Sequence, residues 1–303
     1  MASLTVQIAN LKLRHPVMNA SGILGAYKEH ITRLVSYGLA AIVTKTITPK
    51  PREGYNPPII IELPTGGLLN AVGLENPGKL AIRELVSEAK NYGVPIIVSI
   101  GGRNEEEFVD VAIEAESSKA DAVELNLSCP HAKGYGIEIG ADPNAVYNIV
   151  KSVTSSVRIP VIAKLGLCDK LVESALKALE AGAEALTLIN TIKALYIDIY
   201  TAKPVLTNIF GGLSGPPIHS IAVRAVYEVY RETGATIIGC GGIYDWVTAA
   251  EIILAGAKAI QIGTALIRNP VEVVQGIVEG LKKWLEVLSI PSVEQAVGLA
   301  HKI

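Results

Sequence analysis

Eight short, almost wholly apolar runs recur along this chain, most of them separated by stretches of helical composition. They are Val17–Ala20, Ala41–Thr44, Ile96–Ile100, Ala122–Leu125, Pro160–Ala163, Ala185–Ile189, Thr236–Gly239 and Ala259–Ile262. A strand with one face in water alternates apolar and polar residues. These do not alternate, so both faces must be covered, which is the habit of parallel sheets. The helical segments include Gly78–Tyr92, Glu105–Ser117, Pro143–Ser155, Lys170–Ala181, Ser220–Thr233 and Trp246–Ala255. Several end in helix-stop chemistry, at Tyr92-Gly93-Val94-Pro95, Ala181-Gly182-Ala183 and Ala255-Gly256-Ala257. Eight covered strands with helices between them predict an α/β fold, a closed (β/α)8 TIM barrel. An open doubly wound sheet is the alternative, but no run is followed by the G-x-G-x-x-G turn such a sheet uses for a dinucleotide. A length of 303 residues suits one barrel domain, residues 1–303.

Ahead of the barrel, Leu4–Leu13 alternates around Ala9-Asn10 and reads as a β-hairpin plugging the barrel's bottom. Two connections are too long for simple turns, one from Ile47 to Asn76 and one from Asn190 to Ile218. Both follow strands, so they fall at the face where barrels carry chemistry.

Composition excludes several classes. The net charge is -2 and no Lys/Arg block stands out, which argues against nucleic acid or an anionic membrane surface as partner. Cys129, Cys168 and Cys240 are odd in number and widely spaced. That fits a reducing compartment rather than a disulfide framework, and three cysteines cannot supply a four-cysteine iron–sulfur cluster. No signal peptide and no apolar run near the ~20 residues of a membrane helix is visible, so a cytoplasmic protein is expected. No metal site is expected.

In a barrel of this kind function gathers at the C-terminal strand ends. Those ends carry Ser21, Lys45-Thr46, Ser99, Asn126 with Ser128 and Cys129, Lys164, Asn190-Thr191, Gly241-Gly242 and Gly263-Thr264. Lys45 and Lys164 end strands on opposite sides of the mouth and can converge on one anionic ligand. Phe210-Gly211-Gly212-Leu213-Ser214-Gly215-Pro216, Cys240-Gly241-Gly242-Ile243 and Ile262-Gly263-Thr264-Ala265 follow the last three strands. Glycines there let backbone N–H groups reach a phosphate, or simply make tight turns. Asn126-Leu127-Ser128-Cys129-Pro130-His131 opens a loop through Gly134, Gly136 and Gly140 to Asp142-Pro143, an N-cap followed by proline at the first helical position. Cys129 reads as a proton acceptor on a movable loop or as an inert buried thiol.

The ordered set Ala20-Ser21-Gly22, Val43-Thr44-Lys45-Thr46, Asn70-Ala71-Val72-Gly73-Leu74, Asn126-Leu127-Ser128-Cys129-Pro130, Ala163-Lys164, Ile189-Asn190-Thr191, Gly212-Leu213-Ser214-Gly215, Cys240-Gly241-Gly242 and Ile262-Gly263-Thr264 resembles the dihydroorotate dehydrogenases. It is most similar to the soluble class with a cysteine base, and within it to the NAD-linked class 1B catalytic subunit. The resemblance implies FMN-dependent oxidation of (S)-dihydroorotate to orotate in pyrimidine (UMP) biosynthesis. Carried over, Cys129 would be the base and Lys45 and Lys164 its catalytic companions. Ser21, Lys45, Thr46, Ser99, Asn126, Lys164, Ile189, Gly215, Gly241, Gly242, Gly263 and Thr264 would hold FMN, one per chain. Lys45, Asn70, Ala71, Val72, Gly73, Leu74, Asn126, Asn190 and Thr191 would hold the substrate. The implied partners are a second copy of this chain and two electron-transfer subunits carrying FAD and an iron–sulfur cluster, a heterotetramer. His131 departs from the pattern, standing where many relatives have asparagine. Histidine after Cys-Pro is similar to the dihydropyrimidine dehydrogenases of uracil and thymine, the rival enzyme reading. A non-redox phosphate-binding aldolase or isomerase, with Lys164 as Schiff-base lysine, is the further alternative, and a catalytically idle scaffold subunit the last.

Overall fold

A computed structural model describes residues 2–64, 66–128 and 137–302. Cys129 and His131 lie outside these described residues. The eight parallel strands are β1 (Val17–Asn19), β2 (Ile42–Val43), β3 (Ile96–Ile100), β4 (Ala122–Asn126), β5 (Val161–Leu165), β6 (Ala185–Leu188), β7 (Ile237–Cys240) and β8 (Ala257–Ile262). Each is followed by a helix: α1 (Lys28–Ser36), α2 (Ile82–Asn91), α3 (Glu105–Ser117), α4 (Pro143–Thr154), α5 (Leu171–Glu180), α6 (His219–Thr233), α7 (Trp246–Leu254) and α8 (Pro270–Val287). The sheet order is β1-β8-β7-β6-β5-β4-β3-β2. This is the expected (β/α)8 barrel, with strand boundaries within two residues of the sequence reading; the stretch read as helix from Gly78 opens as a 3-10 turn, Lys79–Ala81, before α2. The all-apolar runs have the expected cause: β3, β4, β5 and β6 are buried along their whole length, inside the ring and under the helices. Asp142 caps α4 as its sequence suggests, accepting from Asn144 N–H at 3.0 Å, with Pro143 at the first turn.

The ring closes between β1 and β2, where only one bridge forms, Met18 to Ala41. The fully buried Asn19 completes the seam. Its Nδ2 donates to Val43 O at 2.7 Å and its Oδ1 accepts from Val43 N at 2.9 Å. A side-chain amide thus stands in for a missing rung of ladder at Val43.

The hairpin forms as expected, Val6–Ile8 antiparallel to Leu11–Leu13. Its alternate residues Val6, Ile8, Leu11 and Leu13 join the main core. Beside it His15 is buried, with Nε2 on Gly38 O at 3.0 Å and Nδ1 accepting from Val17 N at 3.3 Å. This is the bonding of a neutral ring. Burial depresses its pKa from 6.5 to about 4, the Gly38 carbonyl opposing and Arg14 adding to the fall. The unfolded chain therefore binds the proton first. Stability tied to His15 is intact above pH ~6.5 and is lost as pH falls from there towards 4, by up to about 3 kcal/mol. His15→Gln should flatten the fall in melting temperature across that window; an unchanged slope would show that other groups govern it.

The two long connections are not irregular. Ile60–Glu62, Leu68–Asn70, Ile192–Ala194 and Gly211–Ser214 form one antiparallel sheet, with Gly211–Ser214 and Leu68–Asn70 at its centre. Leu69, Ala71 and Leu206 make a small core of their own beneath it. Gly211 is needed here for packing, since a Cβ would fall 2.5 Å from Leu206 Cδ1. Glycine in this stretch therefore serves the sheet as well as any ligand.

Candidate active site

A cavity of about 360 Å³ opens between the C-terminal strand ends and this small sheet. The barrel supplies its floor and wall through Ser21, Lys45, Thr46, Asn126, Lys164, Ile189, Asn190 and Thr191. The small sheet and the turn after it supply Asn70, Val72, Gly73 and Leu74, and Gly215, Gly241, Gly242, Gly263 and Thr264 close the far end. Two of the residues assigned to cofactor or substrate in the sequence are not on the wall. Ser99 is fully buried behind it, with its hydroxyl 3.1 Å from Thr46 Oγ1. Ala71 turns into the core of the small sheet.

The polar strand tips are wired together. Asn126 Nδ2 donates to Thr46 Oγ1 at 2.9 Å, and Asn126 Oδ1 accepts from Ser128 Oγ at 3.0 Å and Asn190 Nδ2 at 3.3 Å. Asn190 Nδ2 also donates to Ser128 Oγ at 2.9 Å, and its Oδ1 accepts from Thr191 N at 2.7 Å. Each amide is oriented by partners on other strands, so tips β2, β4 and β6 present a fixed set of donors and acceptors.

Both lysines reach this cavity. Lys45 Nζ donates to Gly22 O at 3.1 Å. Lys164 is only 2% exposed and is held from inside the barrel. Its Nζ donates to Gln261 Oε1 at 2.8 Å and Ser21 Oγ at 3.3 Å, and lies 3.7 Å from Glu124 Oε1. Glu124 Oε2 accepts from Gln261 Nε2 at 2.6 Å and Thr187 Oγ1 at 2.9 Å. β4 and β8 lie across the ring from each other, so Glu124 and Gln261 meet in its interior. The Gln261 amide can sit only one way: its oxygen towards an ammonium that only donates, its nitrogen towards a carboxylate that only accepts.

The glycine end offers donors. The backbone N–H groups of Gly241, Gly242, Gly263 and Thr264 donate to no acceptor among the described residues. Gly241 and Gly242 have φ of +138° and +65°, conformations open to glycine. Such a concave run of amides suits an anion.

A family model described as dihydroorotate dehydrogenase matches residues 3–285. The chain belongs to the dihydroorotate dehydrogenase family. It is similar to a protein of Aeropyrum pernix named putative dihydroorotate dehydrogenase A (fumarate), 50% identical over 99% of this chain and 98% of that one. It is also similar to proteins named dihydroorotate dehydrogenase B (NAD(+)), catalytic subunit. That of Thermococcus kodakarensis is 47% identical over 99% of this chain and 98% of that one, and that of Pyrococcus furiosus 45% over 99% and 100%.

Several parts of this dehydrogenase site were not singled out from sequence. Glu124, Thr187 and Gln261 sit inside strands read simply as apolar. A charged or amide side chain in a strand covered on both faces was the available signal, because such a group must find a partner inside. Cys240 lines the cavity too. Burial pushes its thiol up, Lys164 pulls it partway back, and Glu124 adds to the rise, so it stays a neutral thiol. Cys168 is likewise pushed up by burial. Neither is prepared to act as a base. Among the described residues no group of three His, Cys, Asp or Glu could hold a metal, and no helix is long and apolar enough to cross a membrane.

Proposed function

We propose that this chain oxidises (S)-dihydroorotate to orotate with one FMN per chain, as a step of pyrimidine biosynthesis. The observation carrying this reading is one cavity that joins an amide cradle for an anion to a buried cation and a set of oriented asparagines. The residues fit the cofactor. Gly241, Gly242, Gly263 and Thr264 would take the phosphate, with Gly215 and Ile189 beside them. Lys164, Ser21, Thr46 and Asn126 would meet the flavin ring, with Ser99 supporting Thr46 from behind. When bound, FMN supplies the hydride acceptor.

The remaining work falls to the chain. Lys164 is a fixed cation whose position does not depend on substrate, so it can stabilise developing negative charge without reorganising. Asn70, Asn126 and Asn190 together place amide donors and acceptors at the cavity, matching a ring that carries both amide N–H and C=O groups. Lys45, with Thr191 and the Val72–Gly73–Leu74 backbone, would hold the substrate carboxylate, Ala71 bracing that segment. Cys129 would take the C5 proton.

The electrons would leave through a partner subunit carrying FAD and an iron–sulfur cluster, ending on NAD, in an assembly of two copies of this chain and two partners. Support comes from the relatives named catalytic subunits of NAD-linked enzymes. The Aeropyrum pernix name, with its fumarate, sets the competing acceptor.

An anaerobic visible spectrum of the purified chain tests the reading. A flavin band should bleach on adding dihydroorotate and persist with dihydrouracil. Bleaching by dihydrouracil instead would move the substrate to the uracil and thymine type, with His131 the first residue to replace. A protein that takes up no flavin would return Lys164 to the aldolase reading. Fumarate alone restoring the band would replace NAD by fumarate as acceptor.

A further inference from the structure

We infer that His219 is a positioning residue for the anion end of the cavity: it holds the Gly241–Gly242 peptide so that the Gly242 N–H faces the ligand. The inference rests on the reading that FMN's phosphate lies there.

His219 is the first residue of α6 and is 8% exposed. Its Nδ1 lies 3.1 Å from Gly241 O, and its Nε2 lies 3.2 Å from Glu251 Oε2 on α7. A carbonyl oxygen and a carboxylate oxygen both only accept, so Nδ1 donates in the first contact, and the second forms as a hydrogen bond only when Nε2 carries a proton as well. The Gly241–Gly242 peptide is trans. In a trans peptide the C=O and the following N–H point in opposite directions. With the carbonyl fixed on His219, the Gly242 N–H must point away from the ring. Gly242 lines the cavity, and its N–H meets no acceptor among the described residues.

The anchor matters because of what flanks this peptide. Glycine on both sides removes the steric barrier that would fix a peptide plane in other sequences. Unrestrained, the plane could turn over and present the Gly241 carbonyl, a partial negative charge, to the anion. The His219 ring opposes that turn. Residue 219 and the turn are packed closely enough for the restraint to be direct, since a Cβ on Gly242 would fall 2.7 Å from His219 Cβ. When Nε2 also carries a proton, Glu251 steadies the ring from its other edge. The ring itself is absent from the cavity wall, so it acts on the ligand only through the backbone.

The experiment compares FMN with riboflavin, which lacks the phosphate, by fluorescence titration of flavin-stripped protein. His219→Leu removes the donor and should weaken FMN binding about tenfold, the worth of one well-placed hydrogen bond. Riboflavin affinity should change less than about twofold, because the ring-binding end is untouched. His219→Asn, whose amide nitrogen falls near the Nδ1 position, should recover most of the lost affinity. His219→Ala, which adds no bulk, is read as the leucine variant is. Unchanged FMN affinity in the leucine and alanine variants would overturn the inference. So would equal losses for FMN and riboflavin, which would mark a general structural role. A wild-type protein that binds riboflavin and FMN equally, or neither, would instead overturn the underlying placement of the phosphate or the cofactor itself.

Discussion

Glu124→Leu should destabilise the flavin-free protein by about 3–5 kcal/mol, the usual cost of leaving one member of a buried ion pair without its partner. The Glu124 carboxylate is fully buried and Lys164 is 2% exposed. Leucine removes the only carboxylate in ion-pair reach of that ammonium among the described residues and also strands two donors, Gln261 Nε2 and Thr187 Oγ1. Water cannot easily replace the carboxylate inside a closed barrel. The double variant Glu124→Leu/Lys164→Met should recover much of the loss, because removing both charges also removes the desolvation they impose. Urea unfolding of wild type, both singles and the double makes a complete cycle. A Glu124→Leu protein within about 1 kcal/mol of wild type would mean that the pair is better hydrated than its burial implies. The double variant should still fold yet reduce flavin poorly, which separates the pair's structural part from the catalytic part assigned to Lys164.

This pair also marks the limit of what the sequence disclosed. The barrel was legible because each strand is covered on both faces, and that condition writes itself as a short apolar run repeated eight times. The lysines were legible because each ends such a run. What supports Lys164 was not, because Glu124, Thr187 and Gln261 come from three strands that only ring closure brings together. The sheet over the cavity was hidden for another reason. Its strands are three or four residues long, too short to carry a period, and its pairing joins segments more than a hundred residues apart, as between Leu69 and Leu213. The sequence marked those connections as too long to be idle, but not as a sheet.

His219 left no trace of its own. Its partners are a backbone carbonyl and a half-exposed carboxylate on the next helix, and neither contact has a sequence signature. The glycine runs were read as phosphate cradles or as tight turns, and the structure adds close packing as a further use. Gly241 and Gly242 line the cavity with N–H groups that meet no acceptor among the described residues, while Gly211 makes room for Leu206 and Leu69. Composition cannot separate these uses, because both ask only that a side chain be absent.

Cys129→Ala should yield a protein that still binds flavin and has lost turnover by about 10²–10⁴-fold near neutral pH, the range for removing a general base. Cys129 lies outside the described residues, and the chemistry of the reaction carries the assignment. Oxidising a saturated C5–C6 bond requires a proton to leave C5 as the hydride leaves C6, and a carbon-bound proton needs a positioned base. The Cys240 and Cys168 thiols are both raised by burial, which removes them as substitutes. Lys164 is engaged with Gln261 and Ser21, and an ammonium does not accept a proton. A free thiol ionises near pH ~8.5, so the wild-type rate of flavin reduction should rise with pH as the thiolate forms. In the alanine variant that rising limb should vanish. In Cys129→Ser it should move to higher pH, because a hydroxyl is the weaker acid. Anaerobic stopped-flow reduction by dihydroorotate reads the step directly, before any electron acceptor is involved. An alanine variant that reduces flavin within about tenfold of wild type, with the same pH profile, would transfer the base to another group. His131, two residues away in the chain, would then be the next to replace.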